Sequence, residues 1–194
     1  MSDPFNEQRD NMIKALIMIL ILLWVLMFVI MFSTSWAHAQ DRECVVQHFR
    51  AEVGVREKTG HNDGERVEEY LKSTGLGSGY AWCAAFVNWT LTQCGLNRAA
   101  SAWSPAWFPA SRIILHRGKF VKAGPASGDV FGIYYPSKKR IAHVGFIEAW
   151  TEGGSGCNTV EGNTNQAGSR EGDGVYRKFR HKAQVYQVAN WIDP

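Results

Sequence analysis

The sequence predicts an α+β fold in which helices come first, an antiparallel sheet of four to six strands follows, and one hydrophobic helix precedes them all. Three observations carry this. Ala15 to Phe32 is a run of 18 uninterrupted apolar residues. Between Glu43 and Gly95, apolar side chains recur at helical spacing, and no charged residue interrupts Ser73 to Asn97. From Phe120 onward, short strand-like runs are separated by turn-forming clusters of glycine, proline, serine and lysine.

Taken in order, the apolar run makes a helix of ~27 Å, close to a hydrocarbon core of ~30 Å. A run this long favours a retained anchor. Ala37-His38-Ala39 has the small-x-small form that signal peptidase accepts before Gln40, and it favours cleavage. The reading adopted is a signal peptide over residues 1–39 with its apolar core at 15–32, and a signal anchor is the alternative. Either way residues 40–194 are expected to form an exported domain, tethered to the membrane through 15–32 if the segment is kept.

The chain carries a formal net charge of +3. Removing the first 39 residues takes away two of 21 basic and three of 18 acidic groups and leaves +4. A mild excess of this kind suits a polyanionic surface such as a cell wall. With no basic block or nucleic-acid motif, a nucleic-acid partner is set aside.

Glu43 to Val55 places Val45, Val46, Phe49 and Val53 on helical spacing. Asn62-Asp63-Gly64 is a turn, and Asp63 or Gly64 caps a second helix, ERVEEYLKST, whose apolar face is Val67, Tyr70 and Leu71. His48 and His61 read as surface residues or local hydrogen-bond partners. The third helix, in YAWCAAFVNWTLTQCG (80–95), has apolar residues all round and is expected to be covered on most sides. Cys83 stands at its first turn, where orphan N–H groups and the helix dipole favour a thiolate. Taken alone, such a cysteine is as well explained by packing.

Asn97 to Gly118 is rich in tryptophan and proline. Trp103, Trp107 and Phe108 form an elbow that either packs across the end of the third helix or walls a substrate groove, followed by a short helix through Ile113 and Leu115. Strands are then predicted over Asp129–Tyr135, Ile141–Trp150, Thr159–Asn163, Val175–Arg180 and Gln184–Trp191. The glycine-rich loop Thr164–Gly174 lacks the lysine and spacing of a phosphate-binding loop.

Strand alternation puts His143 on a face with Ile141, Gly145 and Ile147, and puts Thr159, Glu161 and Asn163 together on another strand. If those strands are neighbours, Glu161 or Asn163 can bond one ring nitrogen of His143 and leave the other to face Cys83, the arrangement of a thiol nucleophile with its base and orienting group.

These residues resemble a known family. GYAWCAAFVNW, then GDVF with AHVGFI some fifteen residues on, then VEGN, is similar to the CHAP family of cysteine amidases and endopeptidases, within the NlpC/P60-type, papain-like peptidoglycan hydrolases. The resemblance covers about Cys44 to Trp191. It implies a papain-like fold with Cys83 as nucleophile, His143 as base, Glu161 and Asn163 as orienting groups, and Asp129 as a structural residue of the turn into the first strand. It also implies a peptidoglycan amide as substrate, cut through a thioester, at either the muramyl–L-alanine amide or a stem-peptide bond. Tyr80, Trp82, Trp103 and Trp107 are expected to line the substrate site. Trp82 stands where many relatives carry glutamine, which leaves the Cys83 backbone N–H as the candidate oxyanion donor. Lecithin-retinol-type acyl transferases place their histidine before the cysteine, against the order here.

No cofactor is expected. No metal is expected either: the loop STGLGSG holds no carboxylate for the calcium some relatives bind, and no Cys/His cluster has zinc-finger spacing. The chain reads as a monomer. With Cys83 free, Cys44, Cys94 and Cys157 allow one disulfide, with the pair open. The alternatives to a wall hydrolase are a non-catalytic wall-binding module and the same chemistry used as an antibacterial effector.

Overall fold

In the computed structural model, residues 4–96, 99–151, 153–166 and 172–193 are described. The first helix, α1, runs over Pro4–Ala51. The chain divides into two compact units, one ending at Gln40 and the other beginning at Asp41. In the first unit, every large apolar side chain between Met12 and Phe32 is exposed. The helix over Asn11–Ala51 is long and apolar enough to cross a membrane.

The second unit holds the last turns of α1, then α2 (Glu65–Lys72) and α3 (Cys83–Gln93). Two 3-10 turns follow, Ser104–Trp107 and Ala110–Arg112. The strands are β1 (Ile113–His116), β2 (Lys119–Phe120), β3 (Val130–Tyr135), β4 (Arg140–Trp150), β5 (Gly156–Thr164), β6 (Gly174–His181) and β7 (Gln187–Ala189). They form one sheet in the order β2-β1-β7-β3-β4-β5-β6, antiparallel throughout. The class is α+β, as the run of helices before strands predicts.

The sheet has seven strands, beyond the four to six expected. The excess lies where a short helix was expected: Ile113 and Leu115 are in β1, paired with β7 and β2. The β-branched pair Ile113-Ile114 beside an available strand outweighs weak helical spacing. Arg117 and Gly118, both at positive φ, close a two-residue hairpin between His116 and Lys119. Of the two residues expected to cap α2, the structure selects the second. Gly64 is the N-cap residue, while the Asp63 carboxylate turns back to accept from the Thr59 N–H at 2.9 Å and its hydroxyl at 2.7 Å. Residues 167–171 of the glycine-rich loop lie outside the described residues.

The helices cover one face of the sheet. Phe49, Tyr70, Trp82, Phe86 and Trp89 pack with Val144, Phe146 and Val160 in one buried cluster. Phe131, Ile147, Cys157 and Val188, from the alternate strand positions, form a smaller cluster on the opposite face. Gly162 sets the distance between α3 and β5. A Cβ there would stand 2.7 Å from the Trp82 ring and 2.9 Å from Phe86, so the Cys83 end of α3 approaches the sheet more closely than any side chain would allow.

Cys44 and Cys94 form a disulfide that ties the end of α1 to the residue just past α3. Its sequence separation of 50 residues predicts that replacing both by serine lowers stability by about 4 kcal/mol in the loop-entropy model. Denaturant unfolding of the two proteins measures it. Cys157, the remaining partner considered from sequence, is buried and free.

Candidate active site

Cys83 is the first residue of α3, and the N-cap residue Trp82 offers no side-chain cap. The first intrahelical bond is donated by Phe86 to the Trp82 carbonyl at 2.8 Å. The N–H groups ahead of it are therefore free to face the Cys83 sulfur and whatever binds there. Ser104, at the start of its 3-10 turn and buried, puts its hydroxyl 3.7 Å from that sulfur.

The other half of the site comes from β4 and β5, which are neighbours in the sheet. His143 is opposite Ile133, yet Ile141 is opposite Tyr134, so Ala142 is an extra residue in β4. Bulges re-aim the side chains beside them. This one separates His143 from Ile141, which joins the helix-side core instead of sharing a face with His143. Alternation from Gly145 to Ile147 holds as expected. On β5, Glu161 is fully buried and its Oε2 lies 2.8 Å from His143 Nε2. A carboxylate only accepts, so Nε2 carries the proton. The opposite ring nitrogen, Nδ1, is the one left for the thiol, and the two side chains act on each other's protonation.

Gly145 makes this approach possible. A Cβ at that position would sit 2.8 Å from the Val160 carbonyl oxygen, 3.0 Å from the Phe131 ring and 3.1 Å from Glu161 Cγ. Gly145→Ala is expected to push Glu161 off His143 and to cost about 1–3 kcal/mol of stability. The check is a thermal melt beside an activity assay, with activity falling further than the loss of folded protein explains.

Electrostatically the group is a chain of alternating charges. Burial pushes the Cys83 thiol up, but the hydrogen bond and charge of His143, with smaller help from Ser104 and the Val144 backbone, bring it below the usual thiol range. Burial disfavours the His143 imidazolium too. Its bonds to Cys83 and Glu161 overcome this and raise it to about 9. Glu161 is held far below the usual carboxylate range because Arg180 and His143, bonded to it, outweigh its burial. Both shifts run in the same direction, towards a thiolate beside an imidazolium.

Asn163 lies elsewhere. β5 carries an irregularity between Glu161 and Thr164, and Asn163 has a left-handed backbone, φ 55°. It therefore leaves the face of Thr159 and Glu161, and its amide donates to Asn62 Oδ1 at 2.7 Å and Glu57 Oε1 at 3.4 Å. Trp82 is fully buried, stacks on Tyr70 and gives its indole N–H to the same Glu57 oxygen at 2.8 Å. Trp107 is fully buried against Trp191 and donates to the Ser101 carbonyl. The expectation that both line the substrate site is corrected: neither presents surface. Tyr80 (57% exposed) and Trp103 (54%, under the Arg140 guanidinium) do.

Asp129 is buried, accepts from the Ala126 N–H at 2.7 Å and pairs with Arg42 at 3.0 Å, which fits a structural residue of the turn before β3. Cys44, His48 and Cys94 are the one group among the described residues with metal-ligand atoms in reach of one another. Their sulfurs are joined as a disulfide, so they do not offer two thiolates. His48 sits against the bridge, 3.5 and 3.6 Å from its sulfurs, a local partner as the sequence suggested.

Three site residues escaped the sequence: Ser104, Thr159, whose hydroxyl donates to Glu161 Oε1 at 2.6 Å, and Arg180. Ser104 stood only within the tryptophan- and proline-rich stretch, and Thr159 and Arg180 only as strand residues. Residues 75–163, a span that includes Cys83, His143, Glu161 and Asn163, match the family model described as CHAP domain. No curated protein and no solved structure matches the chain.

Proposed function

We propose that the chain is a cysteine peptidoglycan hydrolase cutting an amide bond, either the muramyl–L-alanine amide or a stem-peptide bond, a reading supported by the match of residues 75–163 to the CHAP domain model. The CHAP match points to peptidoglycan hydrolysis in general. The observation that supports the finer reading is the Cys83–His143–Glu161 chain, in which the sulfur at a helix start and a carboxylate-bound imidazole share one buried site.

In the proposed reaction the Cys83 thiolate attacks the amide carbonyl carbon. The developing oxyanion is held by backbone N–H at the start of α3, that of Cys83 among them. His143 then gives its proton to the leaving amine, and the C–N bond breaks to leave a thioester. A water, deprotonated by His143, attacks the thioester carbonyl, and the carboxylic acid leaves as the thiolate reforms. Glu161 keeps the imidazole in the productive tautomer and supports its positive charge. Asn163, within the bulge after Glu161, acts by fixing the Glu57–Asn62 loop against β5. Tyr80 and Trp103 are the aromatic surface offered to substrate.

The apolar helix fits delivery to the wall, with residues 1–39 as a signal peptide or an anchor and the domain beginning near residue 40. A disulfide in that domain suits an oxidising compartment outside the cytoplasm.

The test is digestion of purified sacculi followed by mass spectrometry of the soluble products. New amine and carboxyl ends in equal number, at one class of amide, are expected. Products carrying only new reducing sugar ends would overturn the reading, as would intact sacculi under reducing conditions.

A further inference from the structure

The carboxylate behind His143 is shared with a second cation. Arg180, on β6, donates from Nε to Glu161 Oε1 at 2.7 Å and from Nη2 to Glu161 Oε2 at 2.6 Å. Thr159 Oγ1 adds a bond to Oε1 at 2.6 Å, and His143 holds Oε2 at 2.8 Å. Four donors thus fix both oxygens of a fully buried carboxylate. Arg180 reaches it along the strand, for its own cross-strand partner is Cys157, while Glu161 is opposite Tyr176.

We propose that Arg180 is a positioning residue of the reaction: its planar fork locks Glu161 in the rotamer that meets His143, and its charge completes an alternating row, thiolate, imidazolium, carboxylate, guanidinium, that is neutral as a whole. The inference rests on the cysteine-hydrolase reading above and deepens it. Without the guanidinium, the charged form of the site would carry one buried negative charge in excess, which low-polarity surroundings oppose. A lysine cannot replace the fork, because an ammonium offers a point charge and no planar pair of donors.

Among the described residues, the charged and titratable groups around this row are few. His143 faces Cys83 from α3 and Glu161 from β5. Glu161 faces Arg180 and, at longer range, Lys178 from β6, with Cys157 on its own strand. Arg180 faces Tyr135 from β3. Arg180 also lines a cleft of about 410 Å³ with Tyr134, Tyr135 and Tyr186. Water from that cleft can take the place of a shortened side chain, so Arg180→Gln is expected to fold.

A nearby cation lowers the proton affinity of every group in the row, so its removal raises them together. The experiment follows the pH dependence of Cys83 alkylation by iodoacetamide in the full-length chain in detergent, with Cys83 and Cys157 separated by peptide mass mapping. In Arg180→Gln, both the step that marks thiolate formation and the one that marks loss of the His143 proton should move to higher pH by about one unit. Arg180→Lys should leave the steps within a few tenths of a unit of wild type while sacculus hydrolysis falls at least tenfold. A side chain that only packs would change the folded fraction and leave the steps where they were.

Folded Arg180→Gln with an unmoved profile would overturn the inference and leave the hydrolase reading intact. Should Arg180→Gln fail to fold, wild-type hydrolysis by Arg180→Lys would overturn it. A wild-type Cys83 that titrates as an ordinary thiol would overturn the hydrolase reading and this inference together.

Discussion

Cys83→Ala is expected to lower the release of soluble fragments from sacculi by about 10⁴-fold or more, with the protein still folded. The size of the effect follows from what remains. His143 and Glu161 would keep their geometry but would have no atom to activate, and water would have to reach the amide without the thioester stage. Cys157 cannot stand in. It is buried on the opposite face of the sheet, and its thiol is pushed up to about 11, chiefly by burial. Folding should survive because Cys83 is at a helix start and alanine is a good helix former. A melting temperature within a few degrees of wild type, together with lost activity, is the expected pair of results. Appreciable lysis by the variant would mean that another group attacks the bond.

Glu161→Gln carries the second-largest expected effect, a fall of about 10²–10⁴ in turnover with little change in apparent substrate affinity. The substitution keeps the volume and reverses the chemistry. The glutamine NH₂ is a donor, and it would face donors from His143, Thr159 and Arg180, which now meet on Glu161. The imidazole loses the carboxylate that favours its charged form, so the imidazolium and, with it, the Cys83 thiolate become less populated near neutral pH. The guanidinium of Arg180 loses its partner at the same time, so a loss of stability accompanies the loss of activity. Steady-state kinetics on a soluble muropeptide would separate the two. A lower kcat at unchanged KM is expected, and a change confined to KM would place Glu161 in substrate binding instead. Glu161→Asp should recover part of the activity, because the charge returns although the shorter side chain reaches His143 poorly.

The sequence carried the residue types of the site well and their geometry less well. Cys83 at a helix start was legible because glycines bracket an uncharged run, and the helix begins at that residue. His143 and Glu161 on adjacent strands were legible because alternation survives from Gly145 onward and β4 pairs with β5. Alternation fails wherever the ladder takes an extra residue. It does so at Ala142, which sends Ile141 to the helix side, and after Glu161, which turns Asn163 towards Asn62 and Glu57. Bulges leave no periodic trace, so the faces of these two residues could not be read from spacing.

The aromatic residues show the same limit in another form. Tyr80, Trp82, Trp103 and Trp107 are equivalent by composition. Only the close approach of α3 at Gly162 and the contact with Trp191 decide that Trp82 and Trp107 are interior while the other two face solvent. Arg180 was out of reach for a different reason. An arginine on an alternating edge strand is ordinarily a solvated charge, and its role depends on a side chain that spans several residues of β6 to reach a carboxylate on β5. The disulfide pair, one of three open choices, is fixed by the packing of α1 against the end of α3.

The proposed catalysis depends most on a charged Cys83–His143 pair that exists before substrate arrives. Its most direct measurement is the rate of Cys83 alkylation by iodoacetamide as a function of pH, read by peptide mass mapping in the wild-type chain. Because the thiol is held below its usual range and the imidazolium persists to about 9, the reaction should already be fast at mildly acidic pH. It should then stay level through neutrality and change again only near pH 9, as His143 loses its proton. A single rise centred at about 8.5, the value of an unperturbed cysteine, would contradict the account.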